Sequence, residues 1–205
     1  DWIVISPKRV RGHLQNLVKE KRVKASISGC PFEDPQKNAN VEPIFVYPLL
    51  PDSQRSKWEV MVIKNKYPVL THKNACAKNF KKGPYSIVEG IGYHDLIITR
   101  DHHKNFAHLE PKNANLVFQA FRDRYLMLID DHCLAYISIF HNWGSKAGAS
   151  IYHPHYQMIS LPVVPPDVEH SLNGSARYFQ KFKKCVHCEM IKYEKKERKR
   201  IVYEN

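Results

Sequence analysis

One long amphipathic stretch stands alone in this chain, and it narrows the folds open to it. From about Lys112 to Asp130, Leu116, Val117, Phe121, Tyr125, Leu128 and Ile129 recur close to the 3.6-residue period of an α-helix, with Pro111 at or just before the first turn. Elsewhere the apolar residues fall in short runs bounded by Pro, Gly, Asn and Asp. These runs are Ile44 to Tyr47, Trp58 to Ile63, Ser86 to Glu89, Tyr93 to Thr99, Leu134 to His141 and about His153 to Leu161. Trp2 to Ile5, ended by Pro7, is a candidate edge strand. Within Trp58 to Ile63, alternation puts Trp58, Val60 and Val62 on one side. Residues 31 to 43 and 71 to 84 read as loops, and Pro162, Pro165 and Pro166 end the last strand. One long helix among six or seven strands predicts an α+β fold, an antiparallel sheet with helix cover. No glycine fingerprint follows a strand, which excludes a dinucleotide-binding βαβ fold.

Charge is unevenly spread over the 205 residues. The formal net charge is +12, and residues 177–205 hold ten basic and four acidic side chains, half of that excess. This suggests a folded body over residues 1–176 that handles anionic ligands, with a basic tail over 177–205. Tyr178, Phe179, Phe182 and Tyr193 interleave with the tail's charges but form no recognisable base-stacking motif, so nucleic acid is disfavoured as a partner. No run approaches a membrane span and no leader pattern opens the chain, so a cytoplasmic protein without a membrane anchor is expected. In such a compartment the five cysteines are expected to be free or metal-bound rather than paired in disulfides.

The segment richest in chemistry runs from Asn142 to Gln157. If its last residues are extended, His153, His155 and Gln157 point to one face, and Pro154, Tyr156 and Met158 to the other. Before them lies a turn with Gly144, Gly148 and Ser150, whose glycines allow backbone N–H groups to approach a phosphate. A neutral imidazole is a competent nucleophile toward phosphorus, and an amide can donate to the oxygens as charge shifts. On geometry alone, a pair of structural histidines on a strand explains the spacing equally well. His94, His103, His108, His132 and His141 read as surface or hydrogen-bonded residues.

The same residues, in order along the chain, resemble the galactose-1-phosphate uridylyltransferase family of the histidine-triad superfamily. The resemblance rests on Cys30-Pro31-Phe32-Glu33, Asn65-Lys66-Tyr67-Pro68-Val69-Leu70, Asp101-His102, and Asn142 through Ala147-Gly148-Ala149-Ser150 to His153-Pro154-His155-Tyr156-Gln157. Leu161-Pro162 and Cys185-Val186-His187-Cys188 follow in family order. It implies a histidine-triad-like unit and, from Cys185 on, the beginning of a second unit. It also implies a nucleotidyltransferase of galactose and carbohydrate metabolism. There His155 attacks the α-phosphorus of a nucleoside diphosphate sugar, with UDP-glucose or UDP-galactose the default, and a sugar 1-phosphate such as galactose 1-phosphate accepts the nucleotide.

By the same resemblance Gln157 contacts phosphate, Gly148 and Ser150 belong to the phosphate loop, and Asn65 and Asn142 contact the nucleotide. Phe32 and Ile63 would flank base or ribose, although each alone fits a core residue equally well, and Asn65 a turn. A structural zinc site would use Cys30, Glu33, His102 and His153, with Glu33 standing where the family has a second cysteine. Glu33 is either a carboxylate ligand or an ordinary surface acid. Cys185 and Cys188 either pair, bind a second metal with His187, or do neither. A homodimer or a complementary second-half domain is the implied partner. Two other readings remain open. One is a nucleotide-sugar or dinucleotide phosphorylase or hydrolase of the same superfamily; the other is a non-catalytic nucleotide-binding module.

Overall fold

The computed structural model describes residues 24–36, 42–49, 51 and 56–204. The candidate strand Trp2 to Ile5 lies outside the described residues. The chain divides into two compact units, residues 3–163 and a C-terminal unit from Val164 onward.

The first unit holds seven described strands: β1 (Phe45–Tyr47), β2 (Val60–Lys64), β3 (Asn79–Lys82), β4 (Tyr85–Val88), β5 (Tyr93–Thr99), β6 (Tyr136–Phe140) and β7 (His155–Leu161). Five form an antiparallel sheet in the order β1-β2-β5-β7-β6, and β3 and β4 pair as a separate hairpin. Helix α1 (Pro111–Leu128) begins with its proline in the first turn, where the missing N–H costs no hydrogen bond. The expected α+β class, with a helix-covered antiparallel sheet, is therefore what the chain forms. The hairpin strand β3 was not expected, because its four residues are all exposed and carry no alternation.

Strand alternation sorts the core into two layers. On one face Val60, Val62, Ile97, Tyr156 and Met158 pack against Val117, Ala120 and Leu128 of α1. On the other, Met61, Ile63, Leu96 and Ile98 pack with Phe32 and Trp58. Trp58 therefore does not share a side with Val60 and Val62: it precedes the strand, and period-2 counting fails there. Tyr125 and Ile129 of the expected helix stripe are exposed, whereas Arg124 is buried. Its Nε donates to Asp95 Oδ2 at 2.8 Å, so a charged side chain occupies the helix's inner face. Gly92 is required where β5 begins, since a Cβ there would lie 2.1 Å from the Ser160 carbonyl oxygen on β7.

The C-terminal unit corrects the one-helix count. It contains α2 (Pro166–Phe182) and α3 (Val186–Glu197). Pro165 and Pro166 end no strand directly; they cap and open a helix whose first turn carries Asp167 and Glu169, acids that suit its positive end. The expected boundary between residues 176 and 177 falls inside α2. Cys185 and Cys188 are free and exposed. Among the described residues, no third metal-ligating side chain gathers with them. No described helix is long and apolar enough to cross a membrane.

The expectation of free thiols fails at one pair, since Cys76 and Cys133 form a disulfide. The turn after α1 brings Cys133 against the 71–78 connection with a Cα–Cα distance of 4.8 Å, within disulfide range. A separation of 57 residues hides that proximity from the sequence. Two outcomes follow. Alkylation of the denatured, unreduced chain modifies three cysteines by mass, and five after reduction. Replacing Arg124 by Met, which strands the buried Asp95 carboxylate, lowers unfolding free energy by about 3–5 kcal/mol in denaturant titration.

Candidate functional site

β7 lies inside the sheet between β5 and β6, so its side chains alternate between two well-filled layers. Tyr156 and Met158 face the helix layer, which sends His155 and Gln157 to the opposite face. The register sets Ile98 beside His155 and Leu96 beside Gln157. Above that face lies a cavity of about 430 Å³. Its lining includes Phe32, Ile63, Asn65, Asn142, Gly148, Ser150, His155 and Gln157, so the eight residues singled out as catalytic or nucleotide-contacting converge on one space.

His155 is only 8% exposed, and Phe32 meets its ring edge-on at 4.9 Å between centroids. Its Nδ1 donates to the His153 carbonyl at 2.9 Å, since a carbonyl can only accept. Nε2 therefore keeps the lone pair. Burial pushes the imidazole's pKa below its ordinary value, outweighing the carbonyl bond, so the neutral form prevails near pH 7. The ring is buried yet opens on the cavity that the glycine-bearing turn helps to line.

That turn commits part of its backbone to its own closure. Residues 145–147 form one 3₁₀ turn, flanked by Gly144 at φ 82° and Gly148 at φ 78°, values that glycine tolerates best. The N–H groups of Ala147, Gly148 and Ala149 bond back to Gly144 and Ser145 carbonyls at 2.9–3.1 Å. These three amides are engaged in closing the turn. What the segment brings to the cavity is Gly148 through Ile151.

Gln157 is held by a residue whose role the sequence reading missed. Val69 N–H donates to Nδ1 of the buried His94 at 3.1 Å, and His94 Nε2 lies 2.9 Å from Gln157 Oε1. Strand period alone puts His94 on the cavity face with Leu96 and Ile98. Its meeting with Gln157, however, depends on the β5–β7 register. His141 packs on Tyr156 at 4.5 Å between ring centroids.

The four residues read as metal ligands also converge. Cys30 Sγ, a Glu33 carboxylate oxygen and one nitrogen each of His102 and His153 lie within 4.8 Å of one another. The donor set fits a tetrahedral cation. His153 Nε2 donates to Thr99 O at 2.6 Å and His102 Nε2 to Ala25 O at 3.2 Å, so both Nδ1 atoms present lone pairs inward. Those lone pairs sit 2.7 and 3.2 Å from the same Glu33 oxygen, a grouping of acceptors that calls for a shared cation. Backbone carbonyls behind ligating histidines are the usual outer partners at zinc. Burial pushes the Cys30 thiol up, which a bound cation would oppose, and the His153 imidazole down, toward the neutral form that ligation requires. A second group, Cys76, His132 and Cys133, also lies within reach, but its two sulfurs are joined to each other.

Comparison with known proteins places this geometry. The chain is 29% identical over 191 residues to the ADP-glucose phosphorylase of Arabidopsis thaliana, covering 92% of this chain and 53% of that protein. It is 31% identical over 150 residues to the galactose-1-phosphate uridylyltransferase of Thermotoga maritima, covering 72% and 46%. The crystal structure of the Arabidopsis thaliana phosphorylase with bound ADP-glucose superposes with a TM-score of 0.65 at 27% identity, over 82% of this chain and 51% of that one. The chain thus spans about half the length of the curated relatives it matches. Residues 48–165 match the family described as galactose-1-phosphate uridyl transferase, N-terminal domain, and the chain belongs to that family.

Proposed function

We propose that this chain carries the nucleotidyl-transfer centre of a nucleotide-sugar enzyme, with His155 as the nucleophile. The observation that carries the reading is the His155 tautomer: Nδ1–H is committed to the His153 carbonyl, so Nε2 is the nitrogen left to react. A bond forms between Nε2 and the α-phosphorus of a nucleoside diphosphate sugar. The bond from that phosphorus to the bridging oxygen breaks, and sugar 1-phosphate leaves. A phosphate oxygen of the acceptor then attacks the same phosphorus and releases the histidine. The two displacements are similar in difficulty, which is what a covalent intermediate achieves.

The other lining residues divide by chemistry. Phe32 and Ile63 offer apolar contact to base or ribose, and Asn65 and Asn142 offer amides to the nucleotide. Ser150 and the Gln157 amide serve the phosphate oxygens, Gly148 keeping the chain slim beside them. A zinc ion held by Cys30, Glu33, His102 and His153 would lock the segment that enters β7. His153 is the link, because its carbonyl is the acceptor that sets the His155 tautomer. The acceptor is either a sugar 1-phosphate, with galactose 1-phosphate as default, or inorganic phosphate. The second is favoured by the ADP-glucose phosphorylase likeness over 92% of this chain. Either activity would draw on a further unit or a second subunit for the sugar, as the chain's length beside its relatives suggests.

Intact-mass measurement after mixing with UDP-glucose or ADP-glucose tests this reading. One nucleoside monophosphate should add to the wild-type chain and none to His155→Ala; an adduct surviving that substitution would remove His155 from the role. Added galactose 1-phosphate or inorganic phosphate should discharge the adduct, and whichever does so faster names the acceptor. Elemental analysis of the purified chain should find one zinc, lost on Cys30→Ser or His102→Ala. Free zinc at about a thousand times its Kd should add roughly 4 kcal/mol to stability. Undiminished metal content in both variants would refute the ligand set.

A further inference from the structure

The geometry points to His94 as the positioning residue that fixes which end of the Gln157 amide faces the cavity. This rests on the nucleotidyl-transfer reading above and adds to it a residue outside all the motifs that suggested it. A backbone N–H can only donate, so the Val69 amide at 3.1 Å obliges His94 Nδ1 to accept. In the neutral ring the proton then sits on Nε2. Its partner at 2.9 Å is Gln157 Oε1, which must accept. The carbonyl end of the amide is thereby tied to β5, and the NH₂ end is left for the cavity.

Without that constraint the amide has two orientations of similar shape, one presenting a donor to a phosphate and the other an acceptor. Only the first stabilises the charge that builds on phosphorus-bound oxygen as Nε2 attacks. The amides of residues 147–149 are engaged within the turn, so these three are not donors to the cavity. The Asn65 amide nitrogen lies 3.0 Å from His94 Nε2 and 3.5 Å from Nδ1. It is in line with neither nitrogen, so it packs beside the ring without displacing the bond to Gln157. Asn65 is itself held by its N–H to the His94 carbonyl at 2.9 Å, and its Oδ1 accepts from Tyr67 N–H at 2.9 Å. His94 thus joins two cavity walls, the Asn65–Val69 segment and β7, through opposite ends of one residue.

The test combines a spectroscopic and a kinetic measurement on the whole chain. Long-range proton–nitrogen correlation should show His94 in the Nε2–H tautomer. The Gln157 side-chain NH₂ resonances should shift on adding UMP, and in His94→Ala they should not shift in the same way. The Nδ1–H tautomer, or an identical Gln157 response in wild type and variant, would overturn the assignment whether or not the chain turns over. In single-turnover mixing with UDP-glucose, His94→Ala should slow adduct formation roughly ten- to a hundredfold while leaving UMP affinity within about twofold. In a Gln157→Ala background the same substitution should cause little further slowing, since the two act as a unit. Equal slowing in both backgrounds, or a loss confined to affinity, would refute the positioning role. A wild-type chain that never forms the adduct would instead sink the nucleotidyl-transfer reading, and the tautomer would still decide the position of the His94 proton.

Discussion

The arrangement depends on β7 being enclosed on every side. Strands flank it at both edges, α1 closes one layer, and the second core layer with its cavity occupies the other. A one-residue slip would drive Tyr156 and Met158 toward the cavity and His155 and Gln157 into the hydrocarbon beneath α1. Such a slip would bury an imidazole and an amide without partners while exposing two large apolar side chains, which strongly disfavours it. The register that makes the core is therefore the register that makes the site. Gly92 belongs to the same constraint, because only a residue without a Cβ lets β5 approach the Ser160 carbonyl so closely.

His153 shows how a structural cluster can set the state of a reactive group two residues away. One ring nitrogen faces the Cys30–Glu33–His102 group, the other is bonded to Thr99 O, and the main-chain carbonyl holds His155 Nδ1–H. Rotation of the 153–155 peptide would release that carbonyl, and with it the preference for a lone pair on His155 Nε2. Clamping the His153 ring from both nitrogens opposes the rotation. The fully buried His153 is therefore a support for His155 as much as a ligand-type side chain.

Much of this was legible in the residues themselves. Helix α1, the β5 bounds and the two-faced His153–Gln157 segment follow from periodicity, and ordered short motifs assembled the cavity-lining set and the Cys30–Glu33–His102–His153 group. What stayed hidden depended on contacts distant in sequence or on local rules that overlap. The Cys76–Cys133 bond spans 57 residues with no spacing signature. The prolines before α2 suit both a strand's end and a helix's first turn, and length alone would have decided between them. Arg124 sits on the inner face of α1 because Asp95 is buried opposite, a pairing invisible until helix and sheet are docked. His94 looked like any other histidine until Val69 and Gln157 were both beside it.

The cavity's charge makes the hydrogen-bond orientations matter. Among the described side chains lining it, Lys66 alone carries a formal charge. From these residues a diphosphate would meet one full positive charge, which leaves much of the stabilisation of its oxygens to oriented dipoles. Dipoles work in such a place only if they are already aimed, because turning them during reaction costs what their alignment would return. The chain holds the available ones by their far ends: His155 through Nδ1, Gln157 through Oε1 and Asn65 through its own Oδ1. For Gln157 and Asn65 the tether uses the oxygen, which would be wrong toward a phosphate, and for His155 it uses the N–H and leaves the Nε2 lone pair for phosphorus. That shared pattern, more than the identity of any single residue, is what a weakly charged apolar cavity needs if it is to act on an anion.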